Sequence, residues 1–267
     1  MADLRETVLA GLTTSSKYRH LAPAALERTA DWALARHRKA GDALKAAKRK
    51  LHQGFGAYLD PGALEAVHRL LDTADGKTDL REFATRILAL HRSSAERLPL
   101  MDDLYTELWS EIGPPGHVLD VAAGLNPFAL QAMHLPPGCT YTALEIDSRL
   151  VEAANRFLVL ANQPGKAIWT DAISDPGNHD ADVALVLKTL PCLEQEQSGA
   201  ALDLLRALSD VPNIVVSYPV RSLGGREKGM RETYLDQITT LSAQISRTLT
   251  VLPVEGELVT VLRHAAL

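Results

Sequence analysis

Apolar positions recur along this chain with two different periods, and the change between them falls near residue 113. Before that point the spacing is helical. Pro23 stands ahead of Leu26, Thr29, Ala30, Ala33 and Leu34, as at a helix start, where a missing amide hydrogen costs nothing. Over 41–59, Leu44, Ala47, Leu51 and Phe55 predict one buried stripe. Gly41 and the turns Asp60-Pro61-Gly62 and Asp75-Gly76 then divide helices over about 42–54, 62–73 and 78–92, with another over about 96–110. Gly113-Pro114-Pro115-Gly116 ends the helical section. Beyond it, short apolar runs at 117–121, 140–146, 167–171, 183–187 and 213–218 read as strands. Helical patterns over about 127–134, 148–162, 193–208 and 229–247 separate most of them, and 249–264 reads as a hairpin turning at Glu255-Gly256. The alternation predicts an α/β fold: a mostly parallel sheet covered on both faces, with an antiparallel carboxyl-terminal hairpin, preceded by an all-helical domain. The expected division is 1–95 and 96–267, although the helix over 96–110 has the pattern to pack on either side.

Composition adds little until it is split. The 267 residues are 46% hydrophobic and 23% charged, with a formal charge of −5. That sum argues mildly against an anionic partner, but residues 1–100 carry +5 and residues 101–267 carry −10. Residues 17–50 alone carry +7. A basic region beside an acidic body points to an anionic partner for the former. Within it, Lys45, Lys48, Arg49 and His52 follow at i, i+3, i+4 and i+7, with Lys50 in the same run, on a face apart from the apolar stripe. Lys45, Lys48, Arg49 and Lys50 are therefore the candidate nucleic-acid contacts, against the plainer alternative of a solvated helix face. Two cysteines, Cys139 and Cys192, exclude a disulfide framework and a multi-cysteine zinc site. No apolar run approaches the ~18 residues of a membrane span, and the start lacks a signal-peptide layout. A cytoplasmic protein is the expectation.

The most informative stretch is 118-VLDVAAGLNPFAL-130, a strand ending at Asp120, a turn containing Gly124 and a helix entered near Pro127. Ligands of doubly wound sheets bind at the carboxyl ends of strands beside such turns. About 20 residues on, a second strand ends in Glu145, whose carboxylate can accept ribose hydroxyls. The pair implies a nucleoside-containing cofactor. The dinucleotide fingerprint GxGxxG is missing, which favours a nucleoside without phosphates. The competing reading is a mere strand–turn–helix joint.

At these residues the sequence resembles a known family. Residues 117–147, with 182-DVALVLKTLPCLE-194 and 217-SYPVRSLGGREKGM-230, are similar to the 16S ribosomal RNA guanine-N7 methyltransferases that confer aminoglycoside resistance by modifying guanine 1405 with S-adenosylmethionine. The likeness runs over nearly the whole chain and is strongest from about 88 to 230. It implies a class I, Rossmann-like methyltransferase domain behind a helical ribosome-docking domain. It also implies that Ala122, Ala123 and Gly124 approach the methionine part of the cofactor. Glu145 would then hold the ribose, where the family usually has aspartate. Asp171, with Ala172, would lie by the adenine amino group, Leu187 would pack on adenine, and Arg97 would pair with the cofactor carboxylate with help from His91 and Ser93. The alternative for Arg97 is an ion pair with a nearby acid.

Guanine N7 carries a lone pair and no proton, so the transfer needs no general base, and none is nominated among the nine histidines. No His, Cys and acid set has metal-ligand spacing. A stacked guanine must be extracted before its N7 can be reached. Lys188 after the fourth strand, and Tyr218, Arg221, Arg226 and Lys228 at the end of the fifth and beyond, are the candidates to position the target, with Gly224-Gly225 letting that loop approach a phosphate backbone. Aromatics are only 5%, which favours folded RNA read by shape and phosphates over stacking on exposed bases. The implied partner is 16S rRNA in the assembled 30S subunit, met by a monomer. Two other classes stand beside this one: a small-molecule methyltransferase with the helical domain as lid, and a catalytically silent ribosome-binding protein of the same fold.

Overall fold

The computed structural model describes residues 2–54, 62–176, 180–220 and 229–264. Helices fill the first part: α1 (Ala2–Thr13), α2 (Pro23–Leu34), α3 (Ala40–Gly54), α4 (Ala63–Thr73), α5 (Leu80–Leu88), α6 (Arg92–Arg97) and α7 (Met101–Ile112). Strands β1 (His117–Val121), β2 (Thr140–Glu145), β3 (Gly165–Trp169), β4 (Val183–Leu187), β5 (Asn213–Pro219), β6 (Arg247–Val251) and β7 (Glu257–His264) follow. Between them run α8 (Leu130–Met133), α9 (Ser148–Leu160), α10 (Leu190–Glu196), α11 (Ala200–Ala207) and α12 (Met230–Gln244).

Local chemistry sets most boundaries. Pro23 opens α2. The Asp79 carboxylate accepts the amides of Arg81 and Glu82 at the start of α5, and Asp147 accepts that of Arg149 at the start of α9. Three helices expected as single runs are interrupted. The run over 78–92 stops at Leu88, and His91 is extended before α6 begins. The run over 96–110 is broken by the 3-10 turn Leu98–Leu100, which contains Pro99. That over 193–208 divides at Gly199, whose φ of 86° leaves the helical region. β3 also lies two residues earlier than its apolar run, leaving Asp171 beyond its end.

The sheet order is β3-β2-β1-β4-β5-β7-β6, parallel through β5 and antiparallel from β5 to β7 to β6. The expected mostly parallel sheet with an antiparallel carboxyl-terminal hairpin is therefore what forms. Successive residues feed opposite faces. Val118, Tyr141, Ala143, Val183, Leu185 and Val215 pack with α4, α5, α7 and α9. Leu119, Leu144, Ala184, Val186, Ile214 and Val216 pack with α10, α11 and Ile238 of α12. Burial on both faces is why the strands read as near-continuous apolar runs.

The helices before the sheet divide by what they pack on. Leu64, Val67, Leu71, Phe83 and Ile87 of α4 and α5 share one core with the sheet. Helices α1–α3 have their own, built from Val8, Leu12, Leu26, Ala30, Ala33, Ala43, Ala47 and Leu51. In α3 the buried stripe is Ala43, Ala47, Leu51 and Gly54, with Leu44 only half-buried, and Phe55 lies outside the described residues. Ile146, at the end of β2, packs against this second core.

Candidate active site

The parallel order reverses between β1 and β4, so their carboxyl ends diverge and leave a crevice. Five of the cofactor candidates lie along its edge. After β1 the chain turns through Ala122 and Gly124, both at φ 53°. For alanine that is a strained conformation, of the kind concentrated at functional sites. Ala122 is exposed, Ala123 buried and Gly124 half-buried. A Cβ added at Gly124 would meet nothing within 4 Å, so the turn faces open space. Glu145 reaches the same turn: its Oε2 accepts the Gly124 amide at 2.8 Å, and its Oε1 accepts those of Ile146 and Asp147 at 2.8 and 3.0 Å. Burial pushes its carboxyl up from the usual range, against those backbone hydrogen bonds. Leu187 closes β4, half-buried beside this edge.

Beneath the turn lies a polar network that the sequence pattern does not reveal. Asp120 is fully buried and accepts from Tyr141 Oη and Asn126 Nδ2, while Tyr105 Oη donates to Asn126 Oδ1 at 2.9 Å. Burial pushes the Asp120 carboxyl up to about 7, although both hydrogen bonds oppose it. Its partners are one aromatic hydroxyl and one amide, brought to it only once β1, β2 and the turn are stacked.

At the other end of the crevice Arg97 is 6% exposed, with both arms of its guanidinium on Glu257: Nε to Oε2 at 3.0 Å and Nη2 to Oε1 at 2.6 Å. The same Nη2 lies 3.5 Å from Ser217 Oγ. Arg97 is thus held by an acid of the chain itself, 160 residues away. Burial by itself would raise the Glu257 carboxyl, but Arg97, with Lys188 and Ser217, holds it below the usual glutamate range. Lys188 has φ 57° immediately after β4, donates its amide to Ser217 O, and extends Nζ to within 3.5 Å of both Glu257 and Glu96 and 3.4 Å of the Ser93 carbonyl. So Arg97 and Lys188 meet on Glu257, the Ser93 carbonyl lies against Lys188, and His91 sits half-buried at the start of the same short helix. Glu257 and Ser217 were not singled out from the sequence. The one available signal was an acid opening the apolar run of β7.

Asp171 and Ala172 are buried past the end of β3. Asp171 is already engaged: Oδ2 accepts Nε and Nη2 of Arg28 from α2, at 3.2 and 2.8 Å, and the Ser174 hydroxyl at 2.6 Å. Arg221, Arg226 and Lys228, with Gly224-Gly225, lie outside the described residues. Tyr218 is buried, stacked on Tyr234 at 4.6 Å between ring centroids, and is not presented to a ligand.

A family profile described as ribosomal RNA methyltransferase (FmrO) matches residues 14–261. The chain belongs to this family. A protein of Frankia casuarinae named 16S rRNA (guanine(1405)-N(7))-methyltransferase is 37% identical, over 98% of this chain and 93% of its own. One of the same name from Serratia marcescens is 36% identical over 85% of each. The crystal structure of the 16S rRNA methyltransferase RmtF in complex with S-adenosyl-L-homocysteine superposes with a TM-score of 0.85, at 30% identity, covering 99% of this chain and 100% of that one. As a member of the FmrO family the protein is an S-adenosylmethionine-dependent rRNA methyltransferase with the Rossmann-like fold expected of it.

In this methyltransferase the basic run of α3 divides. Lys45 and Arg49 are exposed and Lys48 half-buried, with Lys17 adding a cation 3.0 Å from His52 Nδ1. Lys50 is different from the other three, and the expectation for it is corrected by its packing. Its side chain is 12% exposed, lies 4.7 Å over the Trp32 ring and donates to the Glu196 carbonyl at 2.5 Å. Ala43, Ala47, Lys50 and Gly54 fall at i, i+4, i+7 and i+11, so helical spacing itself places Lys50 on the buried side. Among the described residues no helix is long and apolar enough to cross a membrane.

Proposed function

We propose that the protein transfers a methyl group from S-adenosylmethionine to N7 of guanine 1405 of 16S rRNA within the 30S subunit, in the cytoplasm, and that it acts as a monomer. The observation that carries the reading is the edge formed by the Ala122–Gly124 turn and Glu145. The turn faces open space, and Glu145 Oε2 has spent one lone pair on Gly124 and keeps another for a ribose hydroxyl. These residues fit a nucleoside and offer no cradle for phosphates.

Bound there, S-adenosylmethionine supplies the methyl group as a sulfonium. Everything else is positioning. Guanine N7 has no proton to lose, so none of the buried carboxylates has to act as a base. Asp120, whose carboxyl burial pushes up to about 7, is sealed beneath the turn by Tyr141 and Asn126 and orders the loop. Arg97 and Glu257 form a rigid floor that fixes Lys188 at the end of β4, and Lys188 is the described cation placed to steer the incoming base. Holding donor and acceptor in line in a dry crevice accounts for the rate without chemical participation. We assign docking to α1–α3, the portion of residues 1–95 with a core of its own, through Lys45, Lys48 and Arg49; Arg221, Arg226 and Lys228 remain proposed contacts to the target.

Incubation with radiolabelled S-adenosylmethionine and either intact 30S subunits, naked 16S RNA or small metabolites tests this. Label in the 16S RNA of 30S subunits, mapped to N7 of guanine 1405, is expected, as is resistance to kanamycin and gentamicin in a host expressing the gene. Label in metabolites alone would overturn the reading.

A further inference from the structure

Among the described residues, the bundle α1–α3 meets the sheet domain after β2, past β3 and at α10, and the last two lie close together, with Arg28 near both Asp171 and Glu196. Directly after Glu145, the Ala22 amide donates to Ile146 O at 2.8 Å, the Ser148 amide donates to His20 O at 2.9 Å, and Leu21 bridges Asp147. At α10, Lys50 holds Glu196, and α3 comes so close that a Cβ on Gly54 would fall 1.8 Å from Glu196 Oε1. Past β3, Arg28 holds Asp171. The bundle therefore walls the crevice from the ends of β2 and β3, on the side of Glu145 away from Lys188.

The Arg28 contact is lopsided in a way that matters. Two guanidinium donors and the Ser174 hydroxyl all converge on Oδ2. Oδ1 takes a single, long hydrogen bond from the Ile173 amide at 3.3 Å. A carboxylate offers about four lone-pair positions, so this arrangement ties down one oxygen and leaves the other with capacity for a donor. An exposed or unpaired aspartate could rotate to spend either oxygen. With the Arg28 fork in place the carboxylate plane is fixed. Beyond a ribose held at Glu145, the nearest donor a nucleoside can bring to the β3 end is an exocyclic amine on its base.

We propose that Arg28 is a positioning residue for adenine recognition, acting through Asp171 by reserving Oδ1 for the 6-amino group of the cofactor. The inference rests on the cofactor seat proposed above. It makes the docking bundle part of the nucleoside pocket, so cofactor affinity depends on a residue of α2 that touches no cofactor atom.

The test compares binding of S-adenosylhomocysteine with that of its analogue bearing hydrogen in place of the 6-amino group, by calorimetry on the full-length protein and its Arg28→Met and Arg28→Lys variants. Arg28→Met should weaken S-adenosylhomocysteine about tenfold, the loss of one charge-assisted hydrogen bond. Binding of the analogue should stay within about twofold, and kcat on 30S subunits at saturating cofactor should hold. Arg28→Lys should recover part of the loss, and serves alone if the methionine variant does not fold. Equal losses for both ligands would mean that Arg28 merely supports the fold, and unchanged binding of both would remove its role; either overturns the proposal. Failure of the unsubstituted protein to bind either ligand would instead count against the cofactor seat itself.

Discussion

In α1–α3 most charge stays in solvent. Lys45 and Arg49 are exposed, and Arg5 meets Asp31 and Glu27 across an open helix face. The sheet domain does the opposite and takes Arg97, Glu257, Asp120, Glu145, Asp171 and Arg247 below its surface. Arg247 has no acidic partner among the described contacts and instead donates to carbonyls of Leu208, Ser209, Val211, Pro212 and Leu262. The difference fits the division of labour proposed above. Exposed cations keep their hydration and counterions until an anion displaces them, a property suited to reversible, salt-sensitive contacts. Buried charges have already lost their water and are worth keeping only in fixed geometry, which suits a site that must hold two reactants in line. Arg28 and Lys50 cross from the first class to the second and join the two regions.

Breaking the buried side should have the largest effect. Arg97→Met leaves Glu257 without its bidentate partner and should cost ~3–5 kcal/mol in urea unfolding, nearly independent of added salt. The double variant Arg97→Met with Glu257→Leu should regain most of that stability while remaining inactive, because Lys188 loses its floor. A loss under ~1 kcal/mol for the single change would show that the pair is less desolvated than its geometry implies.

The exposed side should yield to charge reversal. Replacing Lys45, Lys48 and Arg49 together with glutamate should weaken 30S binding roughly 10–100-fold at low salt and flatten its salt dependence. Affinity for S-adenosylhomocysteine and the unfolding midpoint should not move. If cofactor affinity fell with docking, or neither changed, the proposed division of labour would be wrong. Lys50 is left out of this set because it belongs to the seam with α10.

Glu145 sits between the two classes, buried but satisfied by backbone amides alone. Glu145→Gln puts an amide nitrogen where one of three N–H groups is accepted, and should reduce cofactor affinity about tenfold as read by calorimetry. Thermal stability should fall less than for Arg97→Met.

The smallest effect is a slope. Asp120 holds its proton in the folded protein up to about 7, whereas an unfolded aspartate releases it near ~3.9. Its contribution to stability is full below the unfolded value and is lost as pH rises through about 7. Glu257 has the opposite sign, contributing above the ordinary glutamate range and losing that contribution as pH falls. Between pH 5 and 7.5 Glu257 stays ionised, so the urea midpoint should decline with pH, and Asp120→Asn should flatten the decline. An unchanged slope in that variant would assign it elsewhere, to Glu145 or Glu196, whose carboxyls burial also raises.

How far these features can be read from the sequence follows from how local their causes are. The Gly124 turn and Glu145 lie 21 residues apart and close on adjacent strands, so a strand–turn–helix pattern with an acidic strand end reveals both. Lys45 and Arg49 are legible because helical spacing separates them from the apolar stripe. Lys50 is misplaced by a stripe through Leu44 and Phe55, because small residues weigh little in an apolar pattern and the buried stripe runs through Ala43, Ala47 and Gly54. The resemblance pairs Arg97 with the cofactor carboxylate, whereas the acid that holds it, Glu257, comes from a strand 160 residues on, and only the antiparallel return of the chain brings them together. Arg28 and Asp171, 143 residues apart, were hidden for the same reason.

The position of β7 bears on how the enzyme is made. It lies between β5 and β6, so the strand of the sheet synthesised last is an interior one. Its first residue, Glu257, completes the buried pair with Arg97. During translation the helical bundle can fold early around its own core, while the crevice has no floor until residues 257–264 leave the exit tunnel. A nascent chain thus carries Lys45 and Arg49 in solvent before Arg97 has met its partner. Order along the chain therefore places the exposed cations of α3 well before the residue that completes the buried pair beneath Lys188.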